Sequence, residues 1–300
     1  MAAIIGAGVY VTQYRAPHAH VLTVGGSDFD AAAVASRATY MVAFESAGGS
    51  PSPAETALDR LAEEVALRER APALVAAPTA DDIEQSVKVL FRLADTGNPA
   101  FARADLQTVI GRALDISGLT RTEFDDIMRA RVLAQRMRDR FRAEVPAQAP
   151  QLKLMRIRFS DEATAQRVRE QLIAGGDFAQ AAAAHNPDPA TAASGGDLGW
   201  LPAMLLDEEA AKSLDAVAVG GFSALVRSGA FYGLYRVDGR EQARALDEPQ
   251  IARITERQYQ DWLTGARREA GVRSNLSGGE RGWIEERVRA RLRAAAGEVR

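Results

Sequence analysis

Cysteine is absent from this chain, and histidine occurs only as His18, His20 and His185. The first absence excludes a disulfide framework and thiolate metal sites. The histidines fall at none of the familiar metal-ligand spacings, so His18 and His20 read as a solvated pair near the terminus. Lysine is confined to Lys88, Lys153 and Lys212, with arginine supplying the rest of the positive charge. The net charge of -3 weighs against nucleic acid as a partner, because phosphate binding draws on a concentrated basic surface. No Gly-x-Ser-x-Gly elbow, Ser/His/acid arrangement or phosphate loop is visible. Hydrolase and nucleotide chemistry are therefore set aside, and no cofactor is expected. No internal repeat of solenoid length occurs.

Long apolar runs are also lacking. A membrane-spanning helix needs about 20 apolar residues, and the apolar, uncharged stretch Met1–Val11 is shorter than that. It also lacks the basic start of a signal peptide. Residues 1–20 are read as the remnant of an N-terminal membrane anchor or as a flexible terminus. What is present is ordinary for a folded protein: 47% hydrophobic and 26% charged residues, enough apolar material for cores.

The first half reads as helical after a short β-prone run at His20–Val24. Gly48-Gly49-Ser50-Pro51 breaks a first helix. Ser52-Pro53-Ala54-Glu55 opens the next, with Ser as N-cap, Pro at the first helical position and Glu three residues after the cap. Thr79 with Asp82 and Thr120 with Glu123 mark two further helix starts, followed by apolar stripes at helical spacing. Val145–Pro150 reads as an extended linker. From Gln151 the pattern changes. Leu152–Phe159 alternates as a strand, with Met155, Ile157 and Phe159 on one face and Leu152, Leu154, Arg156 and Arg158 on the other. Helices follow Ser160 and Asp177, a long loop spans Asn186–Gly196, and strands are expected at Ser223–Arg227 and Phe231–Val237. From Glu248 the chain is helical again, with Ile251, Ile254 and Trp262 as a stripe that needs burial. The expected domains are a terminus (1–20), a helical domain (21–150), a small α+β domain (151–241) and C-terminal helices packing on the helical domain (242–300).

Residues 151–241 resemble the parvulin (PpiC-type) family of peptidyl-prolyl isomerases. Phe178-Ala179 after Gly-Gly-Asp resembles the family's "aGadFa" segment. Asn186–Trp200, ending Gly195-Gly196-Asp197-Leu198-Gly199-Trp200, resembles "SdDpxSaxxGGDLGW", and Gly220–Ser223 resembles "GevS". Val24-Gly25-Gly26 followed by a helix resembles the entry "VNGxxI" of SurA-like chaperones, and Tyr259–Leu263 followed by Arg267 and Arg268 resembles the C-terminal helix of membrane-anchored relatives. The resemblance implies an α+β fold: a four-stranded antiparallel sheet with packed helices, inserted in a mostly helical SurA-like framework. It implies an extracytoplasmic folding factor anchored to the cytoplasmic membrane, with unfolded or nascent secreted polypeptides as partners.

Carried over position by position, Asp188 matches the family's acidic or Cys residue, Leu198 its pocket Leu, and Met204 its pocket Met within a one-residue gap. Gly195, Gly196, Asp197, Gly199 and Trp200 form the structural loop. The first-strand His falls on Arg156. The pocket Phe falls on Asp207 or Leu206. The last-strand His falls on Gly233 or, in the other register, Tyr235. The expected site is therefore Asp188 and Arg156 as its polar pair, with Leu198, Met204, Leu206, Phe231 and Tyr235 as substrate contacts. His185 matches neither family histidine. Prolyl isomerisation needs shape and electrostatics to lower a rotation barrier of about 18–20 kcal/mol, with no nucleophile. Loss of both histidines implies weak or absent activity, with a holdase or partner-binding role as the alternative.

Overall fold

The structure, a computed structural model, describes residues 16–45, 52–93 and 99–297, with side chains of 99–103 set aside. The Met1–Val11 stretch and the Gly48–Pro51 breaker lie outside the described residues. Among the described residues no helix is long and apolar enough to cross a membrane. The chain divides into two compact units, residues 1–140 with 259–300, and residues 141–258.

The first unit starts with β1 (His20–Val24), which turns through Gly25 and Gly26 into β2 (Ser27–Asp30). Both glycines have positive φ, 58° and 74°, which glycine adopts without strain. Strand β1 is central in a three-stranded sheet whose other edge is β7 (Arg273–Ser274). Neither partner was legible: Ser27–Asp30 shows no apolar alternation and β7 has only two residues.

Helix α1 (Ala31–Phe44) is capped by Asp30, which accepts from the Ala33 amide. Helix α2 (Pro53–Arg70) starts on Ser52 as its sequence implies. Helix α3 (Ala80–Phe91) has a reciprocal capping box between Thr79 and Asp82. Helix α4 (Pro99–Ser117) precedes α5 (Arg121–Glu144), whose Thr120 and Glu123 cap each other's amides. Such caps satisfy orphan N–H groups. The stripes bury as expected. Val21, Leu22, Val34, Leu58 and Val65 share one core with Ile284 and Val288 of α11 (Gly278–Gly297). Tyr40, Val87, Ile110, Phe124 and Met128 form a second.

Helix α10 (Glu248–Glu269) is divided. From Tyr259 it clusters with the first unit, and its first turns cluster with the second. Ile254 is buried within that early part, whereas Trp262 packs on the first unit's core.

The second unit contains β3 (Gln148–Phe159), α6 (Glu162–Ile173), α7 (Phe178–His185), α8 (Pro189–Ala193), β4 (Asp197–Pro202), α9 (Glu208–Asp215), β5 (Val226–Ser228) and β6 (Phe231–Ala245). Its sheet has the order β4-β3-β6-β5 and every pair is antiparallel. Strand β3 starts inside the segment read as a linker, and β6 runs eight residues past the expected Val237 end. These extensions pair Gln148 with Ala245 and Ala149 with Arg244. Backbone pairing stabilises them where side-chain periodicity is weak.

Each sheet face carries its own core. Ile157, Phe159 and Leu234 pack with Val168 and Leu172 of α6 and Phe178 of α7. Leu152, Leu154 and Val237 pack with Leu206 and with Ala210 and Leu214 of α9.

Candidate functional site

The α9 face of the sheet also carries the polar residues of interest. Arg156 lies opposite Tyr235, and Arg158 opposite Gly233. Directly opposed residues of an antiparallel pair point to the same face. Tyr235 belongs to the α9-side core and is buried, so Arg156 and Arg158 share that face. The Arg158 guanidinium stacks over the Phe231 ring at 4.1 Å from its centroid, a cation–π arrangement. Leu206 is buried here, Leu198 packs on the same core, and Met204 is 39% exposed. Asp207 is exposed just before α9. His185 packs instead on Phe159, ring centroids 5.3 Å apart, on the opposite face. It takes no part in this site.

Asp188 is the N-cap of α8 and accepts from the Thr191 amide and hydroxyl. These bonds hold its carboxyl below the ordinary aspartate range, with the Arg156 charge a smaller contributor. The direct Arg156–Asp188 pair suggested by the sequence is not formed. Asp188 is committed to its own helix, and the buried Arg156 Nε has no hydrogen-bond partner.

The glycine-rich turn is tied to β3 by backbone. The Arg156 amide donates to the Gly196 carbonyl at 2.7 Å. A Cβ on Gly196 would lie 2.6 Å from the Arg156 carbonyl oxygen and 3.2 Å from Phe178, and its φ is +87°. Only glycine fits there. Gly195 and Gly199 also have positive φ. Asp197 accepts from the Gly199 amide at 2.8 Å. Trp200 lies against Gly239, where an added Cβ would come within 3.0 Å of the indole, and Arg244 stacks on the ring.

Three polar anchors were not singled out from sequence. Asn186 brackets β3, accepting from the Arg158 amide at 2.8 Å and donating to the Arg156 carbonyl at 3.1 Å. An Asn just before the loop acid was the available signal. Ser223, fully buried, accepts from the Tyr235 amide through its hydroxyl at 3.1 Å, which explains the serine of its motif. Gln151 and Gln250 are buried together. The Gln250 amide group donates to Gln151 Oε1 and to the Trp200 carbonyl, and Gln151 donates to the Ala245 carbonyl. No local pattern marks that pair.

Residues 155–239 match the family model described as the rotamase, PPIC-type PPIase domain. The chain carries a parvulin-type domain. Of the positions the sequence resemblance assigns to the family's histidines, Arg156 lies opposite Tyr235 and Gly233 opposite Arg158. Foldase protein PrsA of Geobacillus kaustophilus is 30% identical over 99 residues, 33% of this chain and 35% of that protein. Chaperone SurA of Burkholderia thailandensis is 32% identical over 121 residues, 38% of this chain and 27% of that protein. The chain thus spans about a third of the length of the curated relatives it matches. A crystal structure of the peptidylprolyl isomerase PrsA from Bacillus anthracis aligns over 72% of this chain and 97% of its own, at 20% identity and a TM-score of 0.49.

The described residues also enclose cavities. One of about 220 Å³ in the parvulin unit is lined by Leu152, Leu206, Leu214 and Arg240. One of about 1050 Å³ lies in the helical unit, lined by Phe44, Leu90 and Ile127 together with Arg37, Glu45 and Glu64. Arg37 is 2% exposed and pairs with both glutamates, Nε to Glu64 at 2.9 Å and Nη2 to Glu45 at 3.1 Å. Burial pushes the Glu64 carboxyl up, while the Arg37 charge opposes the shift. Among the described residues no group of three or more His, Asp or Glu side chains is placed to hold a metal. His20 hydrogen-bonds Thr23 and Asp28, and His18 lies 3.7 Å from Asp30.

Proposed function

We propose that this protein is an extracytoplasmic folding factor whose parvulin domain binds proline-containing segments of unfolded polypeptides and isomerises them slowly. Its site is Arg156, Asp188, Leu198, Met204, Leu206, Phe231 and Tyr235. One observation carries the reading. The α9 face carries Leu198, Leu206 and Tyr235 beside Arg156, and by the family resemblance the paired-histidine positions are taken by Arg156 and by Gly233 or Tyr235. An apolar platform can hold a proline ring, and decoupling the amide requires shape and local charge. Without imidazoles to order the loop acid, Asp188 serves as a helix cap.

The test is a protease-free isomerisation assay on X-Pro peptides, followed by exchange NMR, with binding measured on the same peptides. Binding with a rate enhancement far below that of a histidine-containing parvulin is expected. Arg156→His with Gly233→His should raise the rate. A Cβ at Gly233 would come 3.2 Å from the Tyr235 ring, so Tyr235 must yield slightly. A wild-type rate equal to that of a histidine-containing parvulin, lost in Asp188→Ala, would refute the slow-catalyst reading.

The second reading is a holdase, and the roughly 1050 Å³ cavity of the helical unit favours it. Suppression of client aggregation by a variant lacking isomerisation would separate the two.

A further inference from the structure

Strand β6 presents Phe231, Gly233 and Tyr235 on one face, each two residues from the next. The Tyr235 ring leans back over Gly233. A Cβ built on that glycine would lie 3.2 Å from Tyr235 Cε2 and 3.6 Å from its Cζ and its hydroxyl oxygen. The phenol therefore stands in the space that a side chain at 233 would fill, a position the resemblance assigns to the last-strand histidine. Its backbone is fixed from one side by Ser223: the Tyr235 amide donates to the Ser223 hydroxyl at 3.1 Å, and the Ser223 amide to the Tyr235 carbonyl at 2.9 Å. On the other side Arg156 turns its amide away from β6, toward Gly196. Arg156 and Tyr235 are thus a non-hydrogen-bonded pair, the arrangement that brings opposed side chains closest. Tyr235 is 8% exposed, yet its hydroxyl makes no hydrogen bond among the described residues. A buried tyrosine hydroxyl normally finds a partner, and covering a strand glycine requires only the ring.

We propose that the Tyr235 hydroxyl is a catalytic donor, giving its hydrogen bond to the prolyl nitrogen of a bound X-Pro bond as that bond twists. This rests on the reading that the α9 face takes proline-containing segments. In the planar amide, resonance spreads the nitrogen lone pair into the carbonyl. In the twisted state the pair returns to nitrogen, which then accepts a hydrogen bond that the planar isomers cannot. A donor already fixed in place favours that state over both isomers. No covalent bond forms or breaks, and the proton stays on the phenol oxygen. Gly233 has a part in this: without a side chain of its own, it leaves the room that the phenol occupies. A single neutral donor, with Asp188 committed to Thr191, agrees with slow isomerisation.

The experiment compares the whole wild-type chain with its Tyr235→Phe variant, which keeps the ring and removes only the hydroxyl. The probe is the peptide Ala-Leu-Pro-Phe. Exchange NMR at saturating protein reads the isomerisation rate of the bound peptide, a titration reads its Kd, and calorimetry reads the melting temperature. In Tyr235→Phe the bound-state rate should fall about tenfold, as loss of one hydrogen bond made only in the transition state allows. Kd should change less than about twofold and melting should stay at the wild-type value, because the ring still covers Gly233. A variant that isomerises as fast as wild type overturns the donor role. A slower rate accompanied by an equal loss of affinity, or by lower melting, also overturns it, since the tyrosine would then only support the platform. A wild type that binds the peptide without accelerating its exchange overturns the donor and leaves the binding reading intact. Failure of the wild type to bind overturns both readings together.

Discussion

The turn at Gly196 offers a sharp test of how the parvulin site is built. In Gly196→Ala the added Cβ would have to sit 2.6 Å from the Arg156 carbonyl oxygen, with Ala182 and Phe178 each 3.2 Å away. Those neighbours belong to the backbone of β3 and to the packed α7, so neither yields cheaply. Three effects add. Holding an L-residue in the left-handed region costs about 1–2 kcal/mol. Pushing the turn off β3 lengthens the 2.7 Å bond from the Arg156 amide to the Gly196 carbonyl, worth roughly 1 kcal/mol net. Local overpacking adds about 1 kcal/mol. The total is about 3–4 kcal/mol, or roughly 10–15 °C in the melting of a unit of this size. Gly199→Ala is the control. Its φ is +66°, yet an added Cβ meets nothing within 4 Å, so strain alone applies, about 1–2 kcal/mol. Calorimetry on the whole chain, with hydrogen exchange at the β3 amides, reads both variants. If the two substitutions destabilise the unit equally, contact with the Arg156 carbonyl is irrelevant and the reasoning fails.

Replacing Gln151 by Leu should cost about 2–4 kcal/mol, because the Ala245 carbonyl and the Gln250 side chain lose a buried partner; urea unfolding that matches wild type would contradict this. Arg37→Met should destabilise the helical unit by about 3–5 kcal/mol, since Glu45 and Glu64, 17% and 13% exposed, would be left without their buried counter-charge; a cost under about 1 kcal/mol in the same assay would mean that the pair is dispensable. Asp161, held below its ordinary value of 3.8 by the Thr164 amide and hydroxyl, contributes stability that is complete above that value and is lost as pH falls through the lower, folded-state value. The urea midpoints of wild type and Asp161→Asn should therefore converge from about pH 5 downward, and a constant gap would refute the assignment.

Much of the architecture is written locally in the chain. Thr79 with Asp82 and Thr120 with Glu123 announce their helices because a cap and its partner lie three residues apart. The alternation across Leu152–Phe159 assigns both sheet faces correctly, since side chains of a strand point up and down in turn. The ordered glycines, Asp and Trp of the Gly195–Trp200 turn carry the family resemblance. What the tertiary structure decided is of another kind. Strand β7 and the tail of β6 exist because distant backbone supplies hydrogen bonds that polar side chains do not advertise. Asp188 was legible as the loop acid, but its commitment to Thr191 depends on the five-residue helix it caps. Gln151 and Gln250 stand far apart in the chain, and only folding shows that the two are buried together and hydrogen-bonded. The division of α10 between two units at Tyr259 has no mark in its sequence. A helical stripe specifies that burial is needed; the partner that provides it comes from elsewhere in the chain.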